Sequence, residues 1–268
     1  MEEKSSLTKL LETIFDKIVI IHYVRNKHRK EKLDAELERV GISRCSNLEW
    51  YYDIDTPYDE QMFETINLQY PYREKDNNMV KKLAFHHYRI MKIAYEQGCK
   101  RILIMEDDVC FLKDLELLEQ LFIRTPMWAD VVLYDKLIYK LPTEKYYEYF
   151  NPKALYIDYS HLELYTIAFS SCACYALSRE GMDEIIYNYE HAFTAADTYT
   201  NFIKKLAVVN KAKRVFANVN LCIQDSPGYY EDFYKSYIDF DRYNLPSDNP
   251  YSTNFIAGSN TDDTKSIH

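Results

Sequence analysis

The sequence predicts an α/β domain with a mostly parallel central sheet and helices on both faces. Short aliphatic runs alternate along the chain with longer segments of helical periodicity, which is the pattern of repeated strand–helix–strand units. The chain has 268 residues, 47% of them hydrophobic and 28% charged, a composition typical of globular domains. A cluster of acidic residues directly follows one of the aliphatic runs, and open α/β sheets bind their ligands at the carboxyl ends of strands.

The strands are predicted from short β-branched or aliphatic runs, the first of which begins at Lys17 and ends at Tyr23. The run Arg101–Met105 is a strong candidate for a buried strand, and it leads directly into the acidic residues. In chain order the predicted strands cover residues 17–23, 48–54, 101–105, 131–134, 167–177 and a segment near 214–219.

The helices are predicted from apolar residues spaced three or four apart. Leu33, Leu37 and Val40 form such a stripe, and Gly41 is suited to the position just after a helix end. The other predicted helices cover residues 77–97, 112–123, 179–189 and a segment near 196–206. We expect the first dozen residues to form either a short packed helix or a frayed end.

The chain is predicted to form a single domain over residues 1–244, followed by a polar, loosely ordered tail over 245–268. The tyrosine-rich stretch 137–153 has no regular pattern, and it is predicted to be an insertion or a loop over a site. The chain contains 26 tyrosines. They would either line the edge of the core or stack on sugars and bases.

Charge and residue counts exclude several classes of protein. Acidic residues outnumber basic ones by 42 to 33, giving a net charge of −9, which disfavours nucleic acid as a partner. No apolar run reaches the roughly 18 residues that span a bilayer, and the acidic start lacks a secretory pattern. We therefore expect a cytoplasmic protein.

The five glycines form neither a dinucleotide-binding fingerprint nor a phosphate-binding loop. The six cysteines contain no C-x-x-C pair and are expected to be buried free thiols.

The acidic cluster Glu106, Asp107 and Asp108 is the most informative feature of the sequence. Crowded carboxylates repel one another unless a counter-ion compensates them, and Mn²⁺ or Mg²⁺ prefers oxygen ligands. Such a cation could stabilise a leaving nucleoside diphosphate. The alternative is a solvated acidic turn before a helix. A second D-x-D pattern, Asp53-Ile54-Asp55, is a weaker metal candidate because an aromatic rather than an aliphatic segment precedes it.

Several segments resemble glycosyltransferase family 25, which includes bacterial lipooligosaccharide galactosyltransferases and collagen galactosyltransferases. The resemblance runs from about residue 17 to 228, and His22 and Val24 depart from the Asn and Asp usual in the family. The similar segments are GCKRILIMEDDV, IIHYVRNKHR with Arg29, the pair His86-His87, SSCACYALSREGMDEII, AADTYTNF with Asp197, and LCIQDSPG with Gln224.

The resemblance implies a glycosyltransferase A fold, with a nucleotide-sugar half at about 17–134 and an acceptor half at about 135–244. It implies inverting transfer of a sugar, commonly galactose, from a UDP-sugar with Mn²⁺ or Mg²⁺ as cofactor. Asp108 would then ligate the metal. Glu106 would contact ribose or a metal-bound water, and Asp107 would support both.

The same resemblance places other residues near the donor sugar nucleotide. Arg29, His87 and Gln224 would contact the donor, and Arg179 is a further phosphate or sugar candidate. Residues 50–55 would contact uridine or ribose. Asp197 is either the base that removes the acceptor proton or a helix N-cap.

The acceptor is expected to be a glycan or a lipid-linked oligosaccharide, as in lipopolysaccharide biosynthesis. The basic segment 203–214 would then touch the inner membrane face, or it is simply a solvated helix face. Two alternative functions remain open. One is a degenerate nucleotide- or sugar-binding module of the same fold, and the other is a metal-dependent phosphoryl or nucleotidyl transferase.

Overall fold

A computed structural model of the chain describes residues 4–24, 26–52, 78–134, 137–139, 157–158, 168–170, 173–191, 215–217 and 222–224. Side chains are described for most of these residues. The side chains of the short strands after residue 136 are not described, except those of residues 174–178. The predictions for Asp53, Asp55, Asp197, the helix near 196–206 and the tail 245–268 lie outside the described residues.

Five helices and one short 3₁₀ turn lie in the described residues. The 3₁₀ turn covers Ile42–Arg44. The helices are α1 (Ser6–Ile14), α2 (Lys27–Val40), α3 (Asn78–Glu96), α4 (Leu115–Ile123) and α5 (Arg179–His191). Gly41 follows α2 with φ at 81°, a conformation that glycine adopts without the steric cost of a Cβ. The helix ends therefore agree closely with the sequence pattern.

The strands form one seven-stranded sheet and two small pairs within the described residues. They are β1 (Lys17–His22), β2 (Leu48–Tyr52), β3 (Arg101–Glu106), β4 (Val109–Phe111), β5 (Val131–Leu133), β6 (Leu137–Tyr139), β7 (Ile157–Asp158), β8 (Ala168–Ser170), β9 (Cys174–Ser178), β10 (Val215–Ala217) and β11 (Cys222–Gln224). The order in the large sheet is β2-β1-β3-β9-β5-β10-β7. Five strands share one direction, while β9 and β7 run antiparallel to their neighbours. The predicted α/β class with a mostly parallel sheet is confirmed.

Helices cover both faces of this sheet because side chains of successive strand residues point in opposite directions. On one face Ile18 and Ile20 pack with Leu33 and Leu37 of α2 in a core that also contains side chains of α1 and α4. On the other face Glu106 and Tyr175 meet a histidine of α3. Strands β1, β3, β5 and β9 are therefore buried in a middle layer, whereas β2 is partly exposed.

The structure corrects two predicted elements. The expected single strand 167–177 is two strands, because β8 pairs with β6 while β9 enters the large sheet between β3 and β5. The helix expected from residue 112 begins at Leu115, where the Asp114 side chain accepts a hydrogen bond from the Leu117 amide. Residues 109–111, shortly before that cap, form β4, which pairs with β11. An aliphatic run alone does not show where a chain changes its pairing partner.

A buried ion pair on α2 holds β4 in place. The Glu36 side chain, only 2% exposed, accepts hydrogen bonds from Arg39 Nη2 at 2.6 Å and Nε at 2.8 Å. Glu36 Oε1 also accepts a bond from the Phe111 amide at 2.9 Å. Arg39 in turn donates to the carbonyl oxygens of Phe111 and Leu112. This fixes the chain just after the acidic cluster.

The described residues contain no helix with the length and apolar character needed to cross a bilayer. The cysteines with described side chains are free and buried, as expected: Cys45, Cys99, Cys110 and Cys174. Burial raises the pKa of the Cys45 thiol to about 11.

We expect Glu36→Ala to lower the free energy of unfolding by about 3 kcal/mol, because it removes the partner of a buried ion pair and leaves the Phe111 amide without its acceptor. Urea unfolding followed by circular dichroism measures this loss. Asp34→Ala is the matched control, since Asp34 pairs with Lys30 on the exposed face of the same helix. Equal losses in the two variants would contradict the structural role of Glu36.

The carboxylate of Glu12 has a pKa lowered from 4.5 to about 2, first by its hydrogen bond with Lys4 and then by those with Ser46. A lowered pKa in the folded state stabilises the protein above pH 4.5, and this stabilisation disappears as the pH falls towards 2. The stability difference between wild type and Glu12→Gln should therefore shrink between about pH 5 and pH 2. Urea unfolding at several pH values tests this, and a constant difference would refute it.

Candidate functional site

The order of the strands creates a topological switch point at the carboxyl ends of β1 and β3. The chain leaves β1, passes through α2 and adds β2 on one side, and it later adds β3 on the other side. At such a switch point the two connections diverge and leave room for a ligand. His22 is the last residue of β1 and Glu106 is the last residue of β3. The acidic cluster therefore lies where the fold offers a binding site.

Asp107 joins the ends of the two central strands. One of its carboxylate oxygens, Oδ2, lies 2.8 Å from His22 Nδ1 and accepts a bond from the Tyr23 amide at 3.3 Å. The other oxygen accepts a bond from Arg29 Nη1 at 3.3 Å. Asp107 is only 6% exposed, and buried carboxylates require such partners. The residue predicted to support its neighbours thus bonds β1 and α2 to the end of β3.

Asp108 shares the same guanidinium nitrogen. Arg29 Nη1 donates to Asp108 Oδ2 at 3.3 Å as well as to Asp107. The Asp108 side chain is 5% exposed, whereas that of Arg29 is 31% exposed. Arg29 lies in the first turn of α2, so its side chain reaches the carboxylates from the solvent side. The structure therefore brings Arg29, Asp107 and Asp108 together.

Glu106 lies on the opposite face of the sheet. Its Oε1 is 3.3 Å from His87 Nε2, and His87 Nδ1 is 2.7 Å from the Tyr175 hydroxyl. The rings of His87 and Tyr175 also stack with centroids 5.6 Å apart. His87 is fully buried, whereas the Glu106 side chain is 15% exposed. The imidazole is thus held at both nitrogens, and one of its two partners is the Glu106 carboxylate.

Strand pairing places the backbone of Gln224 beside the acidic cluster. In the β4–β11 pair, Gln224 lies opposite Val109, the residue that follows Asp108. A segment more than a hundred residues later in the sequence is therefore adjacent to the site. The position of Gln224 agrees with a role near the donor, and that role stays a prediction.

Aromatic rings extend the site along β2. Trp50 and Tyr52 stack with centroids 6.3 Å apart, and His22 meets both rings edge-on. The ammonium of Lys30 lies 4.2 Å from the centroid of the Trp50 ring, a cation–π distance. Tyr52 is 40% exposed. We call the rings of Trp50 and Tyr52 the aromatic ledge. They belong to the described part of the segment 50–55 that is predicted to contact uridine or ribose.

Arg179 lies away from this site. Because β9 is antiparallel to β3, its last residue, Ser178, lies opposite Arg101 at the start of β3. Arg179 donates to the carbonyl oxygen of Tyr95 at 2.9 Å and stacks on the Tyr95 ring. It therefore caps the end of α3, near the start of β3 and at the opposite end of that strand from the acidic cluster. The structure thus does not bring Arg179 to the acidic cluster, because β9 runs antiparallel to β3, and its contact with phosphate or sugar stays a prediction.

Sequence reasoning missed two members of the site. His22 was noted only as a departure from a family pattern, although a polar residue directly after the aliphatic run of β1 was a usable signal. Tyr175 lies within an apolar strand, and nothing in its sequence context indicated that its hydroxyl would meet His87.

The carboxylates fit one kind of metal binding better than another. Among the described residues, no group of three or more His, Cys, Asp and Glu side chains is arranged to hold a metal ion. A cage built from protein ligands alone is therefore not formed by these residues. Mg²⁺-like cations commonly keep several waters and use one or two carboxylates together with substrate phosphates. Asp108 could supply one carboxylate of that second arrangement, whereas Glu106 lies on the opposite face of the sheet beside His87.

We expect His22→Ala to lower the free energy of unfolding by about 2 kcal/mol, because the buried Asp107 carboxylate loses its shortest hydrogen bond. His22→Asn should recover part of the loss, since its amide retains a donor. Urea unfolding of both variants at pH 7 measures the difference. Equal losses in the two variants would show that packing, and not the hydrogen bond, explains the effect.

Comparison of the sequence with protein-family models finds no match, and a search of curated proteins also finds none. The resemblance to glycosyltransferase family 25 therefore depends on the short segments quoted above. The geometry at the carboxyl ends of β1 and β3 supplies the remaining support for a function.

Proposed function

We propose that the chain is a metal-dependent inverting glycosyltransferase of the glycosyltransferase A fold, related to family 25. It would move a sugar, in our proposal galactose, from a UDP-sugar to a hydroxyl of a glycan or glycoconjugate. The observation that carries the proposal is the position of Glu106, Asp107 and Asp108 at the switch point between β1 and β3. Arg29 and His87 reach this cluster from helices on opposite faces.

The site offers matching surfaces for the parts of a sugar nucleotide. The aromatic ledge at the end of β2 provides flat rings for a base or ribose. Arg29 provides a guanidinium, which binds phosphate oxygens well. Asp108 would ligate Mn²⁺ or Mg²⁺, and Glu106 would contact ribose or a metal-bound water. When bound, that cation supplies positive charge to the departing diphosphate.

The chemistry of the residues themselves is positioning and charge compensation. Asp107 fixes the ends of β1 and β3 through His22 and the Tyr23 amide. His87 and Tyr175 fix Glu106. We propose Asp197 as the base that accepts the proton of the acceptor hydroxyl, with a lipid-linked oligosaccharide at the inner face of the membrane as acceptor and the cytoplasm as location.

A second candidate is a nucleotide- or sugar-binding module that keeps the site without catalysing transfer. One observation favours it. The cluster already has internal partners, since Arg29 contacts both Asp107 and Asp108 and His22 contacts Asp107. Release of free UDP from UDP-galactose, measured with and without glycan acceptors, separates the two. Turnover would require the transferase, and binding without turnover would favour the module.

We expect UDP with Mn²⁺ to raise the melting temperature by about 5 °C at concentrations near a hundred times the dissociation constant, because ligand binding to the folded state stabilises it. Asp108→Asn should abolish the part of the shift that depends on Mn²⁺. Differential scanning fluorimetry with UDP, GDP and CMP, each with and without Mn²⁺, measures this.

Glu38→Gln is the control for the charge change, because Glu38 pairs with Arg44 near the other end of α2 from Arg29, and this variant should respond to UDP as wild type does. A well-folded protein that shows no shift with any of the nucleotides would remove the support for a nucleotide-sugar donor. A shift of equal size in Asp108→Asn would place the metal elsewhere.

A further inference from the structure

The ammonium of Lys30 is held over the ring of Trp50. Its Nζ lies 4.2 Å from the centroid of that ring and 2.6 Å from Asp34 Oδ2, one turn further along α2. The Trp50 ring in turn packs against the hydrophobic core. The positive charge is therefore positioned by a fixed ring near the carboxyl end of β2.

Tyr52 is the more accessible ring of the aromatic ledge. It is 40% exposed, whereas one face of the Trp50 ring lies under the ammonium of Lys30. A flat ligand on the ledge would therefore stack on Tyr52. The centroids of the two rings are 6.3 Å apart, and lysine has a flexible four-carbon stem. The ammonium over Trp50 can thus reach the edge of a base that stacks on Tyr52.

The aromatic ledge and the acidic cluster are linked through His22. Its ring meets those of Trp50 and Tyr52 edge-on, and its Nδ1 lies 2.8 Å from Asp107 Oδ2. Strands β2 and β3 lie on either side of β1, and two strand spacings amount to about 10 Å. A nucleotide whose diphosphate lies beside the acidic cluster can therefore extend its base over the end of β2.

An ammonium distinguishes bases by the groups on their edges. It has three N–H donors and no acceptor, and Asp34 accepts one of these donors. Uracil has a carbonyl oxygen at position 4, whereas cytosine has an amino group there, which is itself a donor. Two donors that face each other leave both without a partner, which costs binding free energy. An ammonium beside the base therefore favours uracil.

The ion pair with Asp34 does not prevent this contact. It is solvent-exposed and joins two residues of the same helix. Exposed pairs of this kind contribute little to stability. Lys30 can therefore turn towards a ligand at low cost.

We propose that Lys30 is the residue that selects uracil over cytosine, by donating a hydrogen bond to the carbonyl oxygen at position 4 of a base stacked on Tyr52. This inference rests on the proposed nucleotide-sugar donor and adds the residues that choose its base. Tyr52 supplies stacking, which depends little on the kind of base because every base has a π-face. Trp50 supplies the surface that positions Lys30.

The test is calorimetric titration of UDP and CDP, which differ only in the base, into wild type and Lys30→Met at one fixed Mn²⁺ concentration. Methionine keeps an unbranched side chain over Trp50 and removes the charge. Wild type should bind UDP about tenfold more tightly than CDP, the factor expected for a hydrogen bond to a charged group. In Lys30→Met the two dissociation constants should agree within about twofold, because the selecting donor is gone.

Three further variants separate selection from general effects. Lys30→Arg retains a charged donor and should still prefer UDP. Tyr52→Ala should weaken both nucleotides about tenfold and leave their ratio unchanged, because it removes only stacking. Lys100→Met is the matched control, since Lys100 is exposed beside the start of β3, at the opposite end of that strand, and it should behave as wild type does.

Circular dichroism checks that each variant is folded. If Lys30→Met does not fold, Lys30→Gln replaces it. The glutamine amide both donates and accepts, so it should also bring the two dissociation constants close together.

The outcomes separate the inference from the proposed function. Equal affinity of wild type for UDP and CDP, or an unchanged ratio in Lys30→Met, would overturn the role of Lys30 and leave the nucleotide site standing. Loss of the preference in Lys100→Met as well would also overturn it, because net charge would then explain the effect. If folded wild type binds neither nucleotide, the nucleotide-sugar donor and the inference both fail. A preference that only Lys30→Met abolishes would support both.

Discussion

The buried carboxylate of Asp107 is the interaction on which the arrangement of the site depends. It accepts bonds from the end of β1 and from the first turn of α2, while its own backbone continues β3. Two parallel strands separated by some eighty residues of sequence thus end at one common point. A carboxylate buried to this degree depends on hydrogen-bond donors for its stability. The residues that border the switch point are therefore mutually dependent.

The rest of the acidic segment is held from its far side. Glu36 accepts a hydrogen bond from the Phe111 amide. Arg39 donates hydrogen bonds to the carbonyl oxygens of Phe111 and Leu112. Since α2 also carries Arg29, one helix contacts the acidic segment at both ends. A change in the position of α2 would be felt by Asp108 and by β4 at the same time. The helix that links the two contacts contains no glycine or proline, so no residue in its interior strongly disfavours the helical conformation.

The parts of the fold that were predictable share one property. Strands β1 and β3 are buried on both faces, so their aliphatic runs identify them without reference to the rest of the chain. Helix α2 was equally clear, because its stripe and the glycine after it are local signals. The break between β8 and β9 depends instead on distant pairing partners, and no local pattern encodes it.

The same distinction applies to the site. Glu106, Asp107 and Asp108 were found because their position after a strand is a sequence property. Their partners were harder to assign. The bonds of His22 and Tyr175 depend on strand register and on helix α3, which only the tertiary structure specifies.

Strand β9 lies between β3 and β5 although it follows both in the sequence. During synthesis the first ninety residues of the core, through β3, can pair β1 with β2 and β3 while the chain still grows. The outer edges of β3 and β5 then stay open until residues 174–178 arrive. Exposed aliphatic edges are sites of misassociation. The late arrival of β9 therefore covers the facing edges of β3 and β5 at once, while the other edge of β5 waits for β10.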